Sequence, residues 1–188
     1  MRSLGLLILR LVVGGLMAGH GSQKLFGWFG GYGIKGTSGW LETLGLKPGK
    51  PWAYLAGGSE FGGGMLLLLG FLTPLGSFSV IGAMGMAWAK AHKGKPIWVT
   101  SGGAELPLIN IAAGTALALT GPGKYSLDKV LGIKLPRWMV FTGLIGTGAA
   151  IFFSEQIHSR LQTAEETTTR PEESAAELQA GKEAAHEV

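Results

Sequence analysis

Apolar residues dominate five segments of the chain, and polar or glycine-rich stretches separate them. The segments are 4–25, 52–72, 75–91, 104–120 and 138–153. A helix rises about 1.5 Å per residue, so the first two can cross a hydrocarbon core about 30 Å thick, and the others need flanking residues. The pattern predicts an all-α integral membrane protein, a four-helix bundle with a fifth transmembrane helix near the C-terminus.

Turn and capping signals divide the chain between these segments. Thr73 and Pro74 are typical of a helix start, which predicts an antiparallel hairpin of the second and third helices. The glycine-rich loop 27–51 contains apolar residues after Thr37, and a short helix at the membrane surface is expected there. Another short helix is expected to start at Ser126. Small residues at four-residue spacing are expected to let helices approach closely, namely Gly15 with Gly19, Gly58 with Gly62, and Ala112 with Ala116.

Charge is scarce and unevenly distributed. Only 15% of the residues are charged, against roughly 25% in typical soluble domains, and the chain has no cysteine. Disulfides and thiolate metal sites are therefore excluded. Most acidic residues follow position 154, and the earlier part is basic, which favours contact with anionic lipid over nucleic acid. We divide the chain into a membrane bundle (1–131), a further transmembrane segment (132–154) and a charged tail (155–188) that is expected to be disordered.

Ionisable residues inside the apolar segments are costly, and three of them come first: Arg10, His20 and Glu60. Helical spacing places Glu60 on the same side as the small residues of its helix, so it should face the packed interior. One interpretation is a structural ion pair between Arg10 and Glu60 that fixes helix register. The other is a chemical role for Glu60.

Threading the helices alternately through a membrane brings several polar residues to one face. They are His20, Lys24, Glu60, His92 and Glu105, whereas Arg10 lies towards the other face. His20 and Glu60 are the candidate catalytic residues, because both side chains can carry protons. Glu105 could instead be a first-turn carboxylate that complements the helix dipole, and His92 an interfacial helix end. No metal site is predicted.

Several motifs occur in order along the chain. They are Gly19-His20-Gly21-Ser22-Gln23-Lys24-Leu25-Phe26-Gly27 after a helix bearing Arg10, Gly58-Ser59-Glu60-Phe61-Gly62-Gly63-Gly64, Gly70-Phe71-Leu72-Thr73-Pro74, His92, Gly102-Gly103-Ala104-Glu105, and Gly121-Pro122-Gly123-Lys124-Tyr125-Ser126-Leu127-Asp128. Over 4–131 this arrangement resembles the DoxX family. The resemblance implies a four-helix, multi-pass protein of a bacterial or archaeal plasma membrane. It also implies a relation to the quinone-reactive subunit of thiosulfate:quinone oxidoreductase and to proteins of oxidative stress and quinone resistance.

Three functional hypotheses follow. In the first, His20, Lys24, Glu60, His92 and Glu105 bind a quinone or quinol and pass protons while a soluble oxidoreductase supplies electrons, which would make the chain a quinone-linked oxidoreductase subunit. In the second, it is a non-catalytic membrane scaffold that docks soluble redox enzymes. The third, less favoured, is a haem protein with His20 and His92 as axial ligands. Basic residues are too evenly divided between the two faces to assign orientation.

Overall fold

The structure is a computed structural model that describes residues 1–157 and 160. Every described element is helical, which confirms the all-α class. The helices are α1 (Arg2–Phe26), α2 (Gly33–Thr43), α3 (Gly49–Leu69), α4 (Thr73–Ala91), α5 (Glu105–Thr120), α6 (Leu127–Val130) and α7 (Arg137–Ile157). Residues Met1–Ile151 form a compact unit. Beyond it the structure describes the last turns of α7 and Arg160, so the predicted disordered tail lies almost entirely outside the described residues.

The elements agree with the apolar pattern. The five predicted segments correspond to α1, α3, α4, α5 and α7, and the two short helices correspond to α2 and α6. Ser126 caps α6 by accepting a hydrogen bond from the Lys129 amide at 3.2 Å, as expected. Helix α3 ends at Gly70, whose φ of 62° requires the left-handed conformation that glycine tolerates best. The α3–α4 connection is therefore the predicted tight hairpin.

Helices α1 and α3 pack backbone against backbone. A Cβ atom added to Gly14 would lie 2.8 Å from the Gly64 carbonyl oxygen, and one added to Gly64 would lie 2.7 Å from the Gly14 carbonyl oxygen. Towards the end of α1, Gly21 lies in similarly close contact with Phe61. Helix backbones in lipid approach this closely only where side chains are missing.

The small-residue pairs predicted from spacing are not the ones that pack. A Cβ atom on Gly19, Gly58 or Gly62 would meet nothing within 4 Å, and one on Gly15 would meet only the Leu68 side chain. Ala112 and Ala116 are exposed on α5. The prediction was wrong because α1 and α3 each carry glycine on two adjacent faces. Spacing alone does not show which of these faces packs against the neighbouring helix.

The other helices enclose a core that extends from this pair. Gly63 packs on Ser79 of α4, and Gly114 of α5 packs on Ile81. The buried core residues are Val13, Met17, Leu67, Val80, Met84, Ala113 and Leu117. Helix α7 lies along the outside of α4, with Gly143 against Phe78 and Thr147 near Gly82. Residue numbers rise together in these contacts, so α7 runs parallel to α4.

Two described helices, α1 and α7, are long and apolar enough to cross a membrane by length and composition. Helix α5 is apolar but shorter, with 16 residues. Helices α3 and α4 are long enough, with 21 and 19 residues, but they contain charged residues (Lys50 and Glu60 in α3, Lys90 in α4) and several glycine and serine residues, which lower their mean hydropathy. One side of α1 is exposed and wholly apolar, as a lipid-facing surface would be, through Leu4, Ile8, Leu11, Val12 and Leu16. Five membrane crossings stay a prediction.

At one end of the bundle Arg10 binds backbone carbonyl groups from two distant segments. Its side chain is 1% exposed. Nε donates to Leu67 O at 3.0 Å, Nη2 donates to Tyr125 O at 2.7 Å, and Nη1 donates to Pro122 O. The Leu67 carbonyl belongs to the last turn of α3, where a cation also complements the helix dipole. Arg10 therefore ties α1 to the end of α3 and to the loop after α5.

Asp128 caps the start of α4 with its carboxylate. Its carboxylate accepts hydrogen bonds from the Leu72 amide at 2.7 Å, the Thr73 amide at 3.1 Å and the Thr73 hydroxyl at 2.9 Å. Thr73 marks the start of α4, as expected, but its side chain does not cap the helix, because its hydroxyl donates to Asp128. A buried anion at a helix N-terminus satisfies free amides and complements the dipole. We call Arg10, Asp128 and the backbone groups that they bind the Arg10–Asp128 cluster.

Candidate functional site

At the opposite end of the bundle, Lys24 of α1 and Glu60 of α3 form an ion pair through Nζ and Oε2. Glu60 is 4% exposed, whereas the Lys24 side chain is 24% exposed. The prediction that Glu60 faces the packed side of α3 is therefore confirmed. Its neighbours along that side are the buried Ala53, Gly57, Gly63, Gly64 and Leu67.

Glycine in α3 brings the two charged side chains together. A Cβ atom added to Gly57 would lie 2.8 Å from the Leu25 side chain and 3.2 Å from Lys24 Cβ. The absence of that atom lets the end of α1 lie against α3, so that Lys24 reaches Glu60 one turn further along. The position of the pair thus depends on the same close packing that forms the α1–α3 interface.

Helix α2 covers this end of α1. Thr37 Oγ1 donates to the Lys24 carbonyl oxygen at 3.4 Å, and Thr37 is buried. Leu41 near the end of α2 packs with Leu46 of the following loop and with Ala53 at the start of α3. Because its apolar side faces the bundle and its lysine and tryptophan face outwards, α2 is a surface helix against the end of α1 that carries Lys24 rather than another core helix.

The ion pair predicted between Arg10 and Glu60 is not the one that the structure contains. Arg10 contacts carbonyl groups at the other end of the bundle, and Glu60 binds Lys24. The contact of Gly21 with Phe61 sets Glu60 level with Ser22, about three helical turns from Arg10. The two charges are therefore too far apart along α1 to meet.

His20 lies at the edge of the site without contacting Glu60. Its ring is exposed, and Nδ1 lies 3.1 Å from Oε1 of Gln23. Gln23 in turn donates to the Phe29 carbonyl oxygen at 3.2 Å. The structure thus places His20 one turn before Lys24 on α1, where its ring is open to its surroundings.

His92 and Glu105 lie at the same end but organise the α4–α5 connection. His92 Nδ1 is 2.7 Å from the Gly102 carbonyl oxygen, which requires the proton on Nδ1 and leaves Nε2 as an acceptor when the ring is neutral. Glu105 Oε2 accepts a hydrogen bond from the Val99 amide at 2.9 Å. Both side chains therefore hold the loop, and the structure brings only Lys24 and Glu60 of the predicted set into direct contact.

One polar side chain near this end was not predicted. Asn110 of α5 is partly buried, and its Nδ2 donates to Leu106 O at 3.1 Å and lies 3.9 Å from Met84 Sδ. Both interactions use the amide nitrogen. A single amide within an otherwise apolar helix was the signal that could have identified it.

Acid–base and hydrogen-bonding chemistry is what this arrangement offers. Lys24 supplies donors from a partly open position, and Glu60 supplies a carboxylate in a poorly solvated one. Among residues 1–157 and 160, no group of three or more His, Cys, Asp or Glu side chains gathers where a metal ion could bind. The pair could bind a neutral ligand that has polar oxygens, and could exchange protons with it.

Comparison with known proteins gives one family. Residues 5–93, from the first turns of α1 to the residues just after α4, match the DoxX family model. The matched region holds Arg10, His20, Lys24, Glu60 and His92, and ends before the Gly102–Glu105 and Gly121–Asp128 motifs. Searches of curated proteins and of solved structures gave no significant match. Residues 5–93 of this chain are therefore a DoxX-family region.

Proposed function

We propose that this protein is a multi-pass component of a bacterial or archaeal plasma membrane that binds a quinone or quinol head group at Lys24 and Glu60. The DoxX family suggests a membrane protein associated with quinone-related oxidoreductases. The single observation that carries the proposal is the Lys24–Glu60 pair, a nearly buried carboxylate facing a partly exposed ammonium group.

The residue types fit such a ligand. A quinone presents carbonyl oxygens that need hydrogen-bond donors, and Lys24 Nζ has three. A quinol presents hydroxyl groups that need acceptors, and Glu60 provides them. Bound at this place, a quinone takes up two electrons and two protons to become a quinol. The electrons come from a partner oxidoreductase, and the chain's own share is binding and proton supply.

Proton supply follows from the positions of the three side chains. Glu60 lies in the packed interior next to the ligand, paired with Lys24, and its carboxyl group passes a proton to or from the bound head group. His20 lies one turn away with an exposed ring, where it relays protons between the site and its surroundings. His92 and Glu105 support the site indirectly, because they fix the connection from α4 to α5.

Replacing Glu60 with glutamine tests the site. Shape and some hydrogen bonding are kept, while the charge and the exchangeable proton are lost. We expect affinity for a short-chain quinone, measured by thermal shift of the protein in detergent, to fall at least about tenfold, as it should for Lys24→Met. The control is Lys35→Met on the exposed side of α2. Wild-type affinity in Glu60→Gln would show that the pair is not the site.

A non-catalytic scaffold is the second candidate, because the Lys24–Glu60 pair also links α1 to α3. In that case the wild-type protein gives no thermal shift with quinone, and each single variant only lowers stability. Exchanging the charges, with Lys24→Glu and Glu60→Lys together, should then restore stability. The same exchange should not restore quinone binding if the ligand requires the donor at position 24 and the acceptor at position 60.

Membrane topology can be tested with single cysteines, since the chain has none of its own. We expect cysteines at Ser3 and Lys134 to be labelled from one side of the membrane by an impermeant maleimide. Cysteines at Lys35 and Ser101 should be labelled from the other side. This result follows if α1, α3, α4 and α5 each cross the membrane. Labelling of all four positions from one side would contradict multiple crossings.

A further inference from the structure

The side chain of Gln23 links the exposed ring of His20 to the turn that follows α1. Its Oε1 atom lies 3.1 Å from His20 Nδ1, and its Nε2 atom donates to the Phe29 carbonyl oxygen at 3.2 Å. His20 and Gln23 are three residues apart, so they are neighbours on the surface of α1. Gln23 is therefore in a position to orient the His20 ring.

The Phe29 carbonyl group determines which way the Gln23 amide points. A carbonyl oxygen only accepts hydrogen bonds, so it must face the amide nitrogen of Gln23 and not the amide oxygen. The amide oxygen then faces His20 Nδ1. Since that oxygen also only accepts, the hydrogen atom between the two side chains belongs to Nδ1. The neutral ring of His20 is thus held in the Nδ1–H tautomer, and Nε2 carries the free lone pair.

The turn 27–31 holds the Phe29 carbonyl group in place. Phe29 has a φ of 54°, a left-handed conformation that costs free energy in a residue other than glycine. The Gly31 amide donates to the Trp28 carbonyl oxygen at 3.0 Å, and the rings of Phe26 and Trp28 pack with their centroids 4.9 Å apart. A Cβ atom on Gly31 would overlap the backbone of Gln23. The strained turn is therefore closed tightly against Gln23.

His20 presents its lone pair from an exposed ring at the edge of the site. The ring lies one turn before Lys24, which binds Glu60. It can take up a proton at Nε2 while Nδ1 keeps its own proton and its hydrogen bond to Gln23. The imidazolium that results can release a proton from the same nitrogen. One nitrogen of the ring thus serves for orientation and the other for exchange.

We propose that Gln23 is a positioning residue, which together with the turn 27–31 holds His20 in the Nδ1–H tautomer so that Nε2 exchanges protons with the quinone head group. This inference rests on the proposed function, in which the partner oxidoreductase supplies the two electrons. During reduction of the quinone, the Nε2–H bond of the imidazolium breaks and an O–H bond forms on the head group. Nε2 then takes up the next proton from its surroundings. In the reverse direction Nε2 accepts a hydrogen bond, and then the proton, from a quinol hydroxyl group.

The tautomer can be measured by solid-state NMR of the full chain in lipid bilayers, with histidine labelled with ¹³C and ¹⁵N. Ring nitrogens with and without hydrogen give separate signals, and the neighbouring carbons distinguish Nδ1 from Nε2. Spectra are recorded after the pH has been raised until the imidazolium signals are gone, and His20→Phe identifies the His20 signals. We expect the Nδ1–H tautomer to predominate in the wild type. In Gln23→Leu the ratio of Nδ1–H to Nε2–H should fall about fivefold, the effect of one hydrogen bond.

Two further variants and an internal reference separate positioning from general damage. Gln23→Glu keeps an acceptor for the Nδ1–H group but its carboxylate cannot donate to the turn, so it should keep the tautomer that Gln23→Leu loses. Lys35→Met changes an exposed side chain at the same end of the bundle and should leave the His20 ring unchanged. His92 Nδ1 binds the Gly102 carbonyl oxygen, so the His92 tautomer should stay the same in every variant.

A short-chain quinol and its dimethyl ether test the exchange of protons at Nε2. The ether lacks the hydroxyl hydrogens, so only the quinol can donate to a ring nitrogen. We expect the quinol, and not the ether, to move the Nε2 signal of wild-type His20 towards that of a hydrogen-bonded nitrogen. The change should be smaller in Gln23→Leu, where fewer rings present an unprotonated Nε2.

The outcomes distinguish this inference from the proposed function. An unchanged tautomer ratio in Gln23→Leu would overturn the inference, because the amide would then not position the ring. The inference also fails if the quinol binds and requires Glu60 but leaves the Nε2 signal of His20 unmoved, and in that case the proposed function stands. If the wild-type protein binds neither quinone nor quinol, the proposed function fails and proton exchange at Nε2 fails with it.

Discussion

Gly64→Ala should be among the most destabilising single changes in the protein, although it adds one methyl group. The new Cβ atom would lie 2.7 Å from the Gly14 carbonyl oxygen and would also meet the backbone of Met17, at 2.9 Å. A flexible side chain could move aside, but the backbone of a packed helix cannot do so without separating α1 from α3. We expect the free energy of unfolding to fall by about 3 kcal/mol or more.

A matched control lies two residues away on the same helix. A Cβ atom on Gly62 meets nothing within 4 Å, so Gly62→Ala should be neutral or should stabilise α3 by up to about 1 kcal/mol through helix propensity. Thermal unfolding in a mild detergent, followed by circular dichroism, measures both. Equal stability of the two variants would show that α1 and α3 do not pack through Gly14 and Gly64.

The second large effect is expected for Arg10→Met. The methionine can occupy much of the same space, but it leaves the carbonyl oxygens of Pro122 and Tyr125 without their donor and removes one of the two donors to Leu67 O, which keeps the Gly70 amide at 3.0 Å. Each buried polar group left unsatisfied costs about 1–3 kcal/mol, so the total loss should exceed about 3 kcal/mol. Arg10→Lys should recover only part of it, because an ammonium group cannot reach all three acceptors.

Arg2→Met is the control for this prediction, since Arg2 is an exposed arginine of the same helix that donates to one carbonyl oxygen at 3.4 Å. Its effect on the free energy of unfolding should be below about 0.5 kcal/mol.

Asp128→Asn should be coupled to Arg10→Met, so the double variant should lose less stability than the sum of the two single losses. Strict additivity would mean that Arg10 and Asp128 act independently.

The helices of this fold could be predicted from the sequence, because the length of an apolar segment and the residues of the turns beside it are local features of the chain. The five long helices and the start of α6 at Ser126 lie within a few residues of their predicted positions. The sequence did not show which faces of the helices pack against each other. Glycine occurs at positions 57, 58, 62, 63 and 64 of α3, and the relative rotation of α1 and α3 selects among them.

The hydrogen-bond and ion-pair partners of the buried charged residues also could not be predicted from the sequence. Arg10 donates its hydrogen bonds to backbone carbonyl groups, which every residue carries, so no residue type marks Leu67 or Tyr125 as its acceptors. Glu60 was correctly placed in the interior, but its partner depends on relative depth along α1 and α3. That depth is set by the contacts of Gly21 and Gly57, which a single sequence does not report.

The Arg10–Asp128 cluster has a consequence for biogenesis. Synthesis proceeds from the N-terminus, so α1, α3 and α4 emerge before the carbonyl groups of Pro122 and Tyr125 and the carboxylate of Asp128 exist. Until then Arg10 lacks two of its acceptors, and the first amides of α4 lack their cap. A nascent chain that stops at residue 93 therefore carries an Arg10 guanidinium without two of its hydrogen-bond acceptors, and a helix α4 without its cap. The family-matching region should be unable to mature alone, and assembly should be completed when residue 128 joins it.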